Sequence, residues 1–116
     1  MAAQVAAAER GATRIADRVV AKIAARAARE AVTADAVPPD GPPPRATVSV
    51  RHESARIRIS LELDYPCDIG GQCGAVRRHV AQRVKALAGM DVPEVTVQVE
   101  RLHSAQVRTA AQGRIR

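Results

Sequence analysis

From Ala55 to Tyr65 apolar and polar residues alternate without a break, with Ile57, Ile59, Leu61, Leu63 and Tyr65 in one set and Arg56, Arg58, Ser60, Glu62 and Asp64 in the other. A period of two belongs to an extended strand with one face in a core and the other in water. Such a strand cannot stand alone, because it needs neighbours for its backbone groups and a cover for its apolar side. The neighbour lies just upstream, where Ala46, Val48 and Val50 alternate with Thr47 and Ser49 before a short turn at His52-Glu53-Ser54. Two alternating runs joined by a short polar turn predict a β-hairpin. A third run, through Val95, Val97 and Val99, follows Pro93. The longer connection leading to it leaves room for a crossover, and the third strand is expected beside the first and antiparallel to it.

Two helical stripes supply the cover. Ile15, Val19, Ile23 and Ala27 recur at four-residue intervals, flanked by Ala16, Val20 and Ala24, so an amphipathic helix is predicted from Gly11 to about Ala31. Thr13 is its expected cap, with Asp17 near the positive end of its dipole. Val76, Val80, Val84 and Leu87 mark a second helix, with Asp68 as candidate N-cap and Gly89 as its stop. The reading is an α+β two-layer sandwich of order α-β-β-α-β, with two helices on one face of a three-stranded sheet. Its expected core is Ile15, Val19, Ile23, Ile57, Ile59, Leu61, Val76, Val80, Val84, Val95 and Val97.

A chain of 116 residues suffices for one domain. That domain is placed at 11–103, after residues 1–10, read as a flexible, frayed tail or an extension of the first helix, and before a basic, disordered tail at 104–116. Within it the run TADAVPPDGPPPR, residues 33–45, carries five prolines and is expected to be an extended, mobile linker that can be shortened cheaply. Tyr65 is the lone aromatic, so the core must be aliphatic and a deep aromatic-lined pocket for a small-molecule substrate is not expected. Cys67 and Cys73 are too few for a disulfide framework, and their spacing fits no common metal pattern. The opening MAAQVAAAERG has neither a cationic nor a strongly apolar region, so no targeting segment is expected and any membrane contact would be peripheral.

The search for chemistry yields no catalytic set, no cofactor site and no metal site. Cys73 and His79 are six residues apart on one helix and project about 120° apart, too far round to form a nucleophile–base pair. Glu62 and Asp64 share the solvent face of a strand without a cleft around them. Two features point to binding instead. The net charge is +6, and Arg14, Arg18, Lys22 and Arg26, joined by Arg29, run along one side of the first helix. That strip is a candidate contact for an acidic protein or an anionic lipid surface. The alternative lies in the Gly-rich turn 70–74, where Gly71 and Gly74 spell Gly-x-x-Gly ahead of Arg77 and Arg78. Those residues could clamp phosphates as in a K-homology RNA-binding domain, although the segment lacks the helix that such a domain places before its loop.

The segment RGATRIADRVVAKIAARAARE resembles the opening of the bacterial alkaline-shock, or general-stress envelope, protein family in its actinobacterial form. LDYPCDIGGQCGAVRRHVAQRVKALAGMDVPEVTVQVERL resembles the second half of that family more strongly. The matching positions are Tyr65, Pro66, Ile69, Val76, Val80, Val84, Gly89, Val92, Val95, Val97 and Val99. Two departures stand out: the proline run replaces the family's Gly-Val segment, and Ala88 stands where a Thr is usual. The resemblance implies a non-catalytic cytoplasmic protein of the envelope or alkaline stress response. It also implies self-association, or a membrane-anchored family partner that holds the protein at the inner face of the membrane.

Overall fold

The computed structural model describes residues 2–104, with side chains from position 16 onward. The elements follow in the order helix α1 (Ala2–Ala31), one 3-10 turn (Ala34–Ala36), strand β1 (Arg45–Arg51), strand β2 (Ser54–Tyr65), helix α2 (Ile69–Ala88) and strand β3 (Asp91–Ser104). This is the α+β two-layer arrangement that the alternating and helical periods imply. The core is aliphatic throughout, built on Val20, Ala24, Ala27, Ala28, Ile57, Ile59, Leu61, Leu63, Val76, Val80 and Val84.

The sheet order is β1-β2-β3, with β1 antiparallel and β3 parallel to the central β2. The expectation of β3 beside β1 is therefore corrected. Once α2 has carried the chain back along the sheet, the free edge of β2 is its landing place. There it pairs from Ser54↔Asp91 to Tyr65↔Ser104, whereas β1 reaches only Ser60 on the other side. The longer strand offers more backbone partners. As an edge strand β3 leaves Val95 and Val97 half-buried rather than buried, and Tyr65, at the far end of β2, is 51% exposed.

Helix α1 begins at Ala2, so residues 2–10 extend the helix and are not a separate tail. Thr13 consequently lies inside the helix, and Asp17 takes another role: its Oδ1 accepts the Val50 N–H at 3.2 Å, on the outer edge of β1. The buried arc of α1 is centred on Val20, Ala24, Ala27 and Ala28, with Ile23 half-buried and Val19 47% exposed. At ~100° per residue, Val19 falls about 100° or more from the centre of that arc. Val19 and Val20 are the same size, so the rotation of α1 about its axis decides between them, and that rotation sets the alanines Ala24, Ala27 and Ala28 against the rest of the core. Ile15 lies outside the described side chains. Leu87, on the helical arc of the buried Val76, Val80 and Val84, is 58% exposed.

The proline segment packs. Ala36 is fully buried and Pro38 is buried, while the segment's first residue is tied to α2. Thr33 N–H donates to Gln72 Oε1 at 3.1 Å, and Gln72 Nε2 donates back to Thr33 Oγ1 at 2.8 Å. The expected linker at 33–45 is therefore anchored at Thr33, Ala36 and Pro38, while residues 37–44 form no helix or strand, as the prolines dictate. Strand β3 includes Ser104, and the expected C-terminal tail otherwise falls outside the described residues.

Candidate functional site: a cationic helical layer

The two helices run antiparallel. Thr33, just after α1, meets Gln72 near the start of α2. One turn back Glu30 Oε1 lies 3.3 Å from His79 Nε2, and further back Lys22 and Ile23 share a groove with Arg83 and Leu87. Their inner faces cover the sheet and their outer faces form one surface.

That surface is strongly positive. Within residues 16–31 and 69–88 there are eight cations, Arg18, Lys22, Arg26, Arg29, Arg77, Arg78, Arg83 and Lys85, all of them exposed. Against them stand two carboxylates, Asp17 and Glu30, a balance of +6. Asp17 is engaged by the Val50 amide and Glu30 by His79. The sheet and connections, residues 32–68 and 89–104, carry nine carboxylates against five arginines, a balance of −4. Charge is thus segregated between the layers, and the attraction for an anion is concentrated on one side of the molecule.

Of the strip that the sequence singled out, Arg18, Lys22, Arg26 and Arg29 stand together along the outer crest of α1, roughly opposite the buried arc at ~100° per residue. Arg14 lies outside the described side chains. The strip lies opposite the buried arc, and on its flank toward α2 it borders apolar side chains, since Lys22 and Arg26 line a groove with Ile23. Arg26 and Glu30 line two depressions, one toward α2 and one toward Pro43 and Pro44. Sequence reasoning missed Arg83 and Leu87, because only the antiparallel pairing of the helices brings them opposite Lys22 and Ile23.

The Gly-rich turn is not a loop. Residues 70–74 form the opening turns of α2, capped by Asp68, whose Oδ1 accepts the Gly71 N–H at 3.0 Å. A phosphate at this helix start would meet a carboxylate already seated on the amide it needs. Gly74 is buried and Arg78 folds over it, its Nη1 within 3.2 Å of where a Cβ at position 74 would stand. Gly71, Gly74, Arg77 and Arg78 therefore do not assemble a phosphate clamp. Arg77 and Arg78 belong to the cationic layer instead.

The reactive side chains are dispersed. His79 is paired with Glu30, and His103 with Glu62 at 2.5 Å on the sheet's other face. Cys67 and Cys73 are free thiols. Burial pushes both of them up, helped at Cys67 by the negative charges of Asp35, Asp64 and Asp68 and opposed at Cys73 by Arg77. A thiol held protonated is a poor nucleophile. Among the described residues no group of three or more His, Cys, Asp or Glu side chains is placed to hold a metal ion, and no helix is long and apolar enough to cross a membrane.

No family model, curated protein or solved structure matches the chain significantly.

Proposed function

We propose that this chain is a non-catalytic interaction module whose two-helix layer binds an anionic partner, in the setting of envelope or alkaline stress to which its family resemblance points. The observation that carries this reading is the segregation of charge among the described side chains, +6 on helical residues 16–31 and 69–88 and −4 on the sheet and connections. Solubility alone does not require that cations collect on one layer. Long basic side chains on rigid helices suit a scaffold, because they make several weak contacts at once and hold a partner in one orientation. Self-association, or a membrane-anchored protein with an acidic cytoplasmic segment, would present such a partner.

Two charge-reversal variants test the reading, Arg18→Glu with Lys22→Glu and Arg77→Glu with Arg78→Glu. Each is assayed against anionic vesicles, RNA and proteins that co-purify from gently lysed cells. The first variant is expected to lose roughly tenfold or more in binding, at about 1 kcal/mol per exposed contact. Binding by the native chain should fade as salt approaches ~0.5 M, where screening lengths are a few Å. Loss in the second variant alone, with RNA as the ligand, would replace this reading with RNA binding.

A further inference from the structure

The groove between α1 and α2 has a definite chemical character. Its walls are Lys22, Ile23, Arg26 and Glu30 from α1 and Arg83 and Leu87 from α2. Three cations line its rim. Its floor is aliphatic, with Ile23 half-buried and Leu87 58% exposed although Leu87 shares the arc of the buried valines. Val19, one turn before Ile23 on the same flank, is 47% exposed. The Glu30–His79 pair, at 3.3 Å, spans the helices toward one end of the groove. Aliphatic side chains left uncovered on two packed helices, with arginines and a lysine beside them, form an amphipathic receptor.

We infer that this groove receives an acidic amphipathic helix of a partner protein, which lays leucine-like side chains over Val19, Ile23 and Leu87 and sets flanking carboxylates on Lys22, Arg26 and Arg83. The inference rests on the cationic-layer reading above and narrows it to one occupant. Helix-in-groove binding uses anchors one turn apart, the spacing that Val19 and Ile23 present. Arginine is matched to carboxylate through two parallel hydrogen bonds. A membrane surface suits the site less well, because Ile23 and Leu87 share the groove with Lys22, Arg26 and Arg83, a mixed lining that a helix with flanking carboxylates matches side chain by side chain. The surface also lacks the Trp and Phe that interfacial helices use, Tyr65 being the chain's lone aromatic. RNA would ask for stacking aromatics or a phosphate clamp, and the helical layer offers neither.

The test uses the full chain and a synthetic 18-residue helical peptide with leucines on one stripe and glutamates on both flanks. The same peptide scrambled to disperse its leucines serves as control, alongside vesicles of phosphatidylglycerol and phosphatidylcholine and poly(U) RNA. The ordered peptide is expected to shift the backbone resonances of Val19, Ile23 and Leu87 and to bind at least fivefold more tightly than the scrambled one. Leu87→Asp and, separately, Arg83→Glu should each weaken it about tenfold. Both side chains are exposed, so circular dichroism and melting should show the fold retained. Equal binding of the two peptides, or binding of vesicles or RNA alone, overturns the groove proposal and leaves the anionic-partner reading standing. Failure of every anionic probe to bind overturns both.

Discussion

The carboxylate of Asp68 occupies the space that a side chain at position 71 would need: its Oδ2 lies 2.5 Å from the ideal Cβ position of Gly71, while its Oδ1 accepts that residue's N–H. At Gly70 the nearest atom to an added Cβ is 3.8 Å away, an ordinary contact. Gly70→Ala should therefore stabilise the protein by up to about 1 kcal/mol, the helix-propensity difference. Gly71→Ala should gain nothing, because the cap must swing away, and Asp68→Ala should cost about 1 kcal/mol. Urea unfolding of the three variants measures the contrast, and an equal gain at positions 70 and 71 would refute the role given to the cap.

Asp17 guards an edge. Val50 sits next to the hairpin's last pair, Arg51↔Ser54, and its N–H points away from β2 to the Asp17 carboxylate. Asp17→Ala is expected to destabilise by about 1.5–3 kcal/mol, the range for a hydrogen bond to a charged group. The Val50 amide should then exchange with solvent far faster, while Ile57 and Ile59 keep their protection. A Val50 amide that exchanges at the native rate would show that Asp17 contributes nothing there.

The hairpin turn is made by His52 and Glu53, with φ of 49° and 64°. Two consecutive positive-φ residues between paired strands mark a type I′ turn, which favours Asn-Gly. The combined change His52→Asn and Glu53→Gly should stabilise by about 1–2 kcal/mol, since each ordinary residue in the left-handed region costs roughly 1 kcal/mol. The Asp91 N–H to Glu53 carbonyl bond, at 3.0 Å, is a backbone contact that the new pair retains. Thermal melting reads the change, and a lower midpoint would argue against the turn assignment.

Burial within the proline segment is uneven, and that unevenness is testable. Ala36 is fully buried, whereas Pro42 is exposed. Ala36→Asp should cost several kcal/mol by placing an unpaired charge in an aliphatic core. Pro42→Ala should change stability by no more than about 0.5 kcal/mol, as surface substitutions do. Equal, small effects would restore the view of this segment as a free linker.

Alkaline pH should weaken the fold through its thiols. Burial raises both Cys67 and Cys73 above their ordinary values in the folded state. The unfolded chain therefore loses these protons first, and the stability they contribute is complete below about pH 8.5 and declines as pH rises through the raised folded values. The double variant Cys67→Ala with Cys73→Ala should show a flatter decline between about pH 8 and 10 in denaturant titrations. An unchanged slope would place the alkaline sensitivity elsewhere.

Local periodicity carried much of this architecture. The unbroken alternation from Ala55 to Tyr65 dictated a strand with one apolar face, because successive side chains must point to opposite sides. The Val76, Val80 and Val84 stripe, closed by Asp68 and Gly89, dictated a helix with a defined start and stop. The crest of cations from Arg18 to Arg29 was legible for the same reason, since residues at near-helical spacing share a side wherever the helix docks. Docking itself was not legible. Whether Val19 or Val20 faces inward depends on how α1 is rotated about its axis when it docks, and both belong to one broad apolar arc in sequence. The pairing of β3 with β2 depends on which edge is free and longer once the hairpin has formed. The burial of Ala36 depends on a connection folding back onto its own domain. The groove of Lys22, Arg26, Arg83 and Leu87 joins residues some 60 positions apart, and only the antiparallel packing of two helices brings them together. Sequence periodicity orients a side chain about its own element; the choice of neighbour belongs to tertiary packing, where nonlocal contacts compete for the same surface.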